Sequence, residues 1–249
     1  MKTHILHLGV VCVALTTGTA AFSATDFEPR IDALLAQMTL EEKVHLLSGD
    51  SSDFNAQGLP RLGIPSIRMG DGPAGIRIGH STAFPSPVNL AASWDAALAS
   101  KFGDAIATET LAKGRSCILA PCVGIHRFPL NGRNFESFGE DPWLSSRMGV
   151  GVIRAVQARG VIPAVKHFAV NDQEWERREV DVLIDERTLR EIHLPAFEAA
   201  VKEAGVWSVM SSYNRINGPH ASQCAPLLTD ILKGDWGFRG IVMSDWESV

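Results

Sequence analysis

Strand-like and helix-like segments alternate along almost the whole chain, and this alternation limits the fold more than any other feature of the sequence. Five short apolar runs have the composition of buried strands, at 64–69, 116–120, 161–165, 206–210 and 240–243. Amphipathic stretches of helical period separate them, at 95–113, 144–159, 186–204 and 225–233. Strands that alternate with helices in this way indicate a parallel α/β sheet, either open or closed into a barrel.

Polar side chains follow the carboxyl end of nearly every predicted strand. They are Asp71, the pair Lys166 and His167, Tyr213 and Asp245. A TIM-type barrel collects such groups from several strands, whereas an open doubly wound sheet concentrates them near one switch point. The first strand is followed by neither a G-x-G-x-x-G motif nor a phosphate loop, which argues against a nucleotide site. We therefore predict an α/β fold of the TIM-type (β/α)8 class.

The number of strands predicts that this barrel is incomplete. Five strong strand segments are present, and residues 180–184 form a weak sixth, whereas a closed barrel needs eight. The sheet should therefore keep an open edge, with 240–243 as its last strand. We expect such an edge to favour aggregation of the isolated chain.

The first 24 residues have the three-part order of a secretory signal peptide. Lys2 precedes an apolar stretch at 5–15, and small residues follow at 19–24. The apolar stretch is too short for a membrane span. We expect cleavage between Ala20 and Ala24, a secreted or periplasmic protein with no membrane attachment, and a truncated barrel domain over 25–249.

The composition is that of an ordinary globular chain, with 45% hydrophobic and 20% charged residues. The formal net charge is −5 and no long basic run is present, so nucleic acid is not an expected partner. Cys117, Cys122 and Cys224 remain after the leader, and either a Cys117–Cys122 disulfide or buried free thiols fits their positions. No Cys/His spacing typical of zinc ligands is present, so we expect no metal.

Several of the polar residues also have a purely structural interpretation. Asp71 lies in an Asp-Gly-Pro sequence typical of turns, and Asp245 could cap a following helix. Arg133 could pair with Glu136 or Glu140 in a surface network. For each of these residues taken alone, the sequence leaves the choice open.

Lys166 and His167 favour a functional interpretation, because two adjacent ionisable groups are costly to bury without anionic or hydroxyl-rich partners. Trp246, beside Asp245, suits stacking on the apolar face of a sugar. A site dense in hydrogen-bond donors and acceptors fits a neutral polyhydroxylated ligand, and an uncovered carboxylate could stabilise or attack an oxocarbenium-like centre.

Six stretches, taken in order, resemble glycoside hydrolase family 3, in particular its two-domain β-glucosidase branch. They are GDGPAGIR (70–77), NGRNFESFGEDPWLS (131–145), VKHFAVNDQEWERR (165–178), DERTLREIHLPAFEAAV (185–201), VMSSYNRINGPHASQC (209–224) and GFRGIVMSDW (237–246). Together they span nearly the whole chain after the leader. The Gly- and His-rich loop of the single-domain hexosaminidase branch is absent, and FAVNDQEWER stands in its place.

The resemblance implies a retaining, exo-acting hydrolase that removes terminal non-reducing β-D-glucosyl residues from β-glucosides and oligosaccharides. It makes Asp245 the nucleophile and implies no cofactor. Asp71 would bind the 4- and 6-hydroxyls of the sugar. The other implied substrate-binding residues are Arg133, Lys166, His167, Arg177, Met210, Tyr213 and Trp246.

The general acid/base in this branch is a Glu from a second α/β domain after the barrel, and we expect that C-terminal domain to complete the site. Other functions stay open. One is a secreted sugar-binding protein without turnover, and another is a β-xylosidase of the same family. A different barrel hydrolase, such as an amidase or phosphodiesterase, is disfavoured because metal ligands and a Ser-His arrangement are missing.

Overall fold

A computed structural model describes residues 27–50 and 54–248. The predicted signal peptide lies outside these ranges and stays a prediction. Helix α1 (Glu28–Gln37) belongs to a short N-terminal unit that ends at Met38, and all features below belong to the larger unit that begins at Thr39. Of the helices in the described ranges, none is long and apolar enough to cross a membrane.

Eight strands are present in the described residues, and they include the five strong ones predicted from the sequence. They are β1 (Asn55–Ala56), β2 (Ile67–Asp71), β3 (Cys117–Leu119), β4 (Ile162–Phe168), β5 (Asp181–Val182), β6 (Ser208–Ser211), β7 (Arg215–Ile216) and β8 (Ile241–Ser244). The five predicted strands are confirmed, with bounds that differ by a few residues.

The main sheet has the order β1-β2-β3-β4-β6-β8. β1 is antiparallel to β2, and the other neighbours are parallel, with Met69 opposite Cys117 and Met210 opposite Met243. Parallel neighbours require a crossover connection, which helices provide here. The sheet ends at β1 on one side and at β8 on the other, so the described residues form an incomplete (β/α) barrel, as predicted.

The weak strand predicted at 180–184 does form, but it lies outside the main sheet. Its residues Asp181 and Val182 make β5, which pairs with β7 in a separate two-stranded sheet. This small sheet follows the ends of β4 and β6, so it belongs to their loops rather than to the barrel.

The helices lie between the strands largely where the amphipathic pattern places them. Those of the larger unit are α2 (Leu40–Leu46), α3 (Pro87–Ala91), α4 (Ala96–Ala112), α5 (Pro142–Ala158), α6 (Glu186–Thr188) and α7 (Pro195–Lys202). α2 begins at a capping box in which Thr39 and Glu42 each accept a hydrogen bond from the other's backbone N–H.

Two of the predicted helices depart from regular α geometry. The stretch 186–204 is divided into α6, a π-helical turn at Leu189–His193 and α7, and the stretch 225–233 is π-helical over Pro226–Asp235. Pro195 has no backbone N–H to continue the α-helical ladder, which accounts for a break at that point.

Apolar side chains fill both faces of the main sheet. α4, α5 and α7 pack against its outer face around Ile118, Val165 and other residues. A second cluster fills the inner face, with Met69, Leu119, Ala164 and Met210 among its members. Cys117, Cys122 and Cys224 are buried free thiols, so the disulfide alternative is wrong.

The two ends of the sheet approach each other at one place. Phe54, which precedes β1, and Trp246, which follows β8, have ring centroids 5.2 Å apart. A flat sheet of six strands would separate its first and last strands by more than 20 Å, since neighbouring strands lie about 4.8 Å apart. The sheet is therefore curled, and the curl brings the carboxyl ends of its parallel strands around a common pocket.

Candidate active site

A pocket lies at the carboxyl ends of the parallel strands, and it brings together all nine residues proposed from the sequence. Its lining consists of Phe54, Asp71, Arg77, Leu119, Arg133, Glu136, Lys166, His167, Arg177, Met210, Tyr213, Asp245 and Trp246. The set comes from six separate parts of the chain. Five of these parts are the end of a strand or the loop that follows one, which is where barrel enzymes place their sites, and the sixth is Phe54, which precedes β1.

A tight turn after β2 places Asp71 and Arg77 side by side. Gly72 has φ 146°, and a Cβ there would lie 1.8 Å from the carbonyl oxygen of Gly75, so only glycine fits. The backbone N–H of Arg77 donates to the carbonyl of Asp71 at 2.8 Å, which closes the turn. The Arg77 guanidinium consequently lies 3.1 Å from Oδ2 of Asp71.

Lys166 forms a buried ion pair with Asp71. Its Nζ donates to Oδ1 at 2.7 Å, and the lysine side chain is only 3% exposed. Burial alone would raise the pKa of Asp71, but Lys166, Arg77 and Arg133 outweigh that effect and lower the pKa below its ordinary value. The carboxylate is therefore ionised at neutral pH and presents acceptor oxygens to the pocket.

Lys166 and His167 both line the pocket although they are neighbours in one strand. Successive residues of a regular strand point to opposite faces. The register between β4 and β6 shifts between Val165 and Phe168, so the regular alternation fails at the two residues between them. Cis peptide bonds occur in the same stretch, at Lys166–His167 and Phe168–Ala169.

Glu136 lies between two arginines that line the pocket. Its Oε1 accepts a hydrogen bond from Arg77 at 2.8 Å, and its Oε2 accepts one from Arg133 at 2.6 Å. The pairing of Arg133 with Glu136 that the structural interpretation predicted is thus present. It is not a surface network, however, because Glu136 is 3% exposed and both partners face the pocket.

His167 is buried between two other residues of the pocket region. Its Nε2 lies 3.6 Å from Oδ2 of Asp245, and its Nδ1 lies 3.7 Å from Sγ of Cys122. Burial, together with the charges of Lys166 and Arg133, holds the pKa of His167 well below its ordinary value. The imidazole is therefore neutral at physiological pH.

Asp245 follows β8 and is almost fully buried. Its Oδ1 accepts a hydrogen bond from the backbone N–H of Trp246 at 2.8 Å, while its Oδ2 has no hydrogen-bond partner among the described residues. Burial raises the pKa of this carboxyl group, and Trp246, Tyr213 and Lys166 only partly oppose the effect. Lys166, the cation that opposes this rise most, is already paired with Asp71.

Tyr213 and Arg177 form the wall of the pocket beside Asp245. The guanidinium of Arg177 lies over the Tyr213 ring at 4.2 Å and donates to Glu174 at 2.6 Å. Burial and the nearby Asp245 carboxylate raise the pKa of Tyr213 to about 12, so its hydroxyl keeps its proton. Arg178, the residue after Arg177, contacts Glu247 at 2.5 Å and does not line the pocket.

Sequence reasoning missed Arg77 and Phe54, and it considered Glu136 as a partner for Arg133 or, by composition, as a second carboxyl group, but not as a substrate-binding residue. Arg77 ends the GDGPAGIR motif, and its place six residues after Asp71 was the available signal. Phe54 offers no such signal, because only the curl of the sheet brings it to Trp246. The described residues contain no cluster of three or more His, Cys, Asp or Glu side chains arranged to hold a metal ion.

The known proteins that this chain resembles carry the names of enzymes that act on sugars. A β-glucosidase of Rhizobium radiobacter is 49% identical over 224 residues, which is 87% of this chain and 27% of the relative. An exo-α-(1→6)-L-arabinopyranosidase of Bifidobacterium longum is 45% identical over 223 residues, which is 84% of this chain and 29% of the relative. The solved structure of β-glucosidase 3B from Thermotoga neapolitana in complex with glucose superposes with a TM-score of 0.83, at 41% identity, over 87% of this chain and 34% of that one.

The curled sheet and its helices define an incomplete (β/α) barrel. Its charged and aromatic side chains lie at the carboxyl ends of the strands, as they do in barrel enzymes. Residues 31–249 match the model of the glycosyl hydrolase family 3 N-terminal domain. The chain belongs to glycosyl hydrolase family 3. It spans about a third or less of the length of the relatives and structures named above.

Proposed function

We propose that this chain carries the nucleophile and the sugar-binding half of the active site of a retaining β-glucosidase. The observation that carries the proposal is the position of Asp245, a buried carboxylate in a pocket lined by hydrogen-bonding groups, whose Oδ2 has no donor within hydrogen-bond distance among the described residues. A buried acceptor without a partner is costly, and an approaching electrophilic carbon offsets that cost. The names of several relatives agree with a β-glucoside as substrate.

In this proposal the sugar lies between the charged floor of the pocket and its aromatic wall. Asp71 accepts from the 4- and 6-hydroxyls, and Lys166 and Arg133 donate to neighbouring hydroxyls. Trp246 and Met210 contact the apolar face of the ring, and the other implied binding residues are His167, Arg177 and Tyr213. The ion pair between Asp71 and Lys166 orients both groups before the sugar arrives, which lowers the entropy lost on binding.

The reaction proceeds by two displacements. Asp245 attacks the anomeric carbon while the bond to the leaving oxygen breaks, and that oxygen takes a proton from a general acid. Water then attacks the anomeric carbon, gives a proton to the conjugate base of that acid and displaces the Asp245 carboxylate, which releases the sugar with its original configuration. A raised pKa at Asp245 suits a carboxylate that gives up its charge in the first step and recovers it in the second.

The general acid must be a second carboxyl group about 5 Å from the nucleophile. Asp71 and Glu136 are poor candidates, because each already forms ion pairs with two cationic side chains. We propose that the acid comes from polypeptide outside these 249 residues, in a C-terminal domain. Secretion through the leader at 1–24 is a further part of the proposal.

Activity and binding assays distinguish the proposed function from two alternatives. Relatives include proteins named arabinopyranosidases, so a pentoside substrate, such as that of a β-xylosidase, is the competing specificity. A sugar-binding protein without turnover is the competing class. Both are tested on the 249-residue chain and on a version extended to the length of the relatives.

The test is hydrolysis of an aryl β-glucoside and of cellobiose, with glucose binding measured by calorimetry. We expect the extended protein to cleave both substrates, and its Asp245→Asn variant to bind glucose without turnover. The chain alone should bind glucose and cleave at most the activated aryl glycoside, because loss of general acid catalysis costs on the order of 10² to 10⁴ in rate. Binding without turnover in the extended protein would contradict the proposal and favour the sugar-binding alternative.

A further inference from the structure

Cys122 is a buried thiol that lies beside the pocket and that the proposed reaction does not use. It follows β3 by three residues, and an isolated parallel bridge pairs it with Lys166 on β4. The backbone N–H of Val123 donates to the carbonyl of Lys166 at 2.8 Å, and that of Lys166 donates to the carbonyl of Pro121 at 3.0 Å. These bonds fix the Cys122 side chain next to the ring of His167.

The two nitrogens of His167 face different partners. Nδ1 lies 3.7 Å from Sγ of Cys122, which is within reach of a hydrogen bond to sulfur, and Nε2 lies 3.6 Å from Oδ2 of Asp245. Among the residues that the structure describes, no third group contacts the two ring nitrogens. The ring hydrogen of a neutral histidine can occupy only one of the two nitrogens.

The partners differ in what they can offer to each nitrogen. A thiol has one hydrogen to donate, whereas an ionised carboxylate can only accept. Burial raises the pKa of the Cys122 thiol, so its sulfur keeps its hydrogen at neutral pH. The arrangement that satisfies both sides therefore has the thiol donating to Nδ1 and the ring hydrogen on Nε2, directed toward Asp245.

We propose that Cys122 is a positioning residue that donates its S–H to Nδ1 of His167 and so presents the Nε2–H of that ring to Asp245. The opposite arrangement would place the lone pair of Nε2 against the carboxylate oxygen. The claim concerns hydrogen placement, so it stands apart from the proposed glucosidase reaction. Its consequence for sugar binding does rest on that proposed function, since His167 is one of the residues expected to contact the substrate.

The donor role is tested by infrared spectroscopy of the S–H stretch in a Cys12→Ser version of the 249-residue chain, which keeps Cys117, Cys122 and Cys224. The band of Cys122 is identified as the one that disappears in Cys122→Ala. We expect it at lower wavenumber than the bands of Cys117 and Cys224, and we expect it to move to higher wavenumber in His167→Phe, where the acceptor is gone. Cys117→Ala is the matched control, because it removes a buried thiol from the same part of the chain without touching His167.

The hydrogen placement is tested by nitrogen NMR on protein labelled at histidine, with His167 assigned through His167→Phe. We expect a protonated Nε2 and an unprotonated Nδ1 in the wild type and in Cys122→Ser, whose hydroxyl can also donate. Cys122→Ala has no S–H group to donate, so its Nδ1 resonance should shift toward that of an unprotonated nitrogen that accepts no hydrogen bond. A protonated Nδ1 in the wild type, or a Cys122 S–H band unmoved by His167→Phe, would overturn the proposal. Neither readout requires sugar or turnover, so failure of the glucosidase proposal would leave both tests valid.

Discussion

Nζ of Lys166 and Oδ1 of Asp71 lie 2.7 Å apart although 95 residues separate them in the chain. The lysine is almost fully buried, and the pair forms the floor of the pocket. Removal of one partner of a buried ion pair leaves an uncompensated charge, whereas removal of an exposed pair costs little.

We predict that Asp71→Asn lowers the free energy of unfolding by about 3 kcal/mol, because Lys166 loses the anion that offsets its burial. Denaturant unfolding of the chain measures the change. Glu198→Gln is the control, since it breaks the exposed pair of Glu198 with Lys202 and should change stability little. Equal losses in the two variants would contradict the assignment of Asp71 and Lys166 as a structural pair.

Asp71 also predicts a preference for glucosides over xylosides. A xyloside lacks the exocyclic hydroxymethyl group, so one acceptor site of the carboxylate would stay unpaired at a cost of roughly 1 to 3 kcal/mol. The ratio of kcat/KM for the two aryl glycosides should therefore be about 5 to 150 in the extended protein. Equal values would favour the pentoside specificity that some relatives carry in their names.

The burial of Asp172 predicts that its contribution to the free energy of unfolding changes with pH in the direction opposite to that of an ordinary carboxylate. Burial raises its pKa to about 6, and the nearby His193, 3.6 Å away, stays neutral because burial lowers its pKa to about 4. A carboxyl group with a raised folded-state pKa stabilises the fold below its unfolded pKa and loses that contribution as the pH rises through about 6.

Asp172→Asn should consequently be more stable than the wild type at pH 7, by up to about 3 kcal/mol, with the advantage absent near pH 4. Thermal or urea unfolding at the two pH values measures the difference. Asp230→Asn, a change at an exposed position, is the control and should show no such dependence on pH. A variant less stable than the wild type at pH 7 would indicate that Asp172 is held by a favourable interaction instead.

The edge strand β8 predicts self-association of the 249-residue chain. Within the described residues it pairs with β6 on one side and with no strand on the other, and Ile241 is 46% exposed. Charged residues on edge strands block pairing with other chains, so Ile241→Lys should raise the monomer fraction in size-exclusion chromatography. Leu183→Lys removes an equally apolar and more exposed side chain away from this edge, and it should have no comparable effect. An equal gain from both variants would point to general surface hydrophobicity.

The sequence predicts the main strands and helices well because they depend on local patterns. The apolar runs and amphipathic periods place β2, β3, β4, β6 and β8 to within a few residues, and the capping box at Thr39 and Glu42 is local as well. The polar residues at the strand ends could also be grouped from the sequence, because parallel strands carry their carboxyl ends to the same side of the sheet.

Contacts between distant segments could not be predicted in this way. Glu136 bridges Arg133, three residues away, and Arg77, which is 59 residues away, and no local pattern distinguishes this arrangement from a surface pair. The pairing of Phe54 with Trp246 depends on the curl of the sheet. The raised pKa of Asp245 follows from its burial and from the pairing of Lys166 with Asp71 rather than with Asp245.

The most direct test of the central claim is to identify the residue that a 2-fluoro-β-glucoside with an activated leaving group labels. The extended protein is incubated with the probe, digested and sequenced by mass spectrometry. We predict a glycosyl ester on Asp245 and no label in Asp245→Asn, with glucose binding largely retained. A label on Asp71, Glu136 or any other residue would contradict the assignment of Asp245 as the nucleophile.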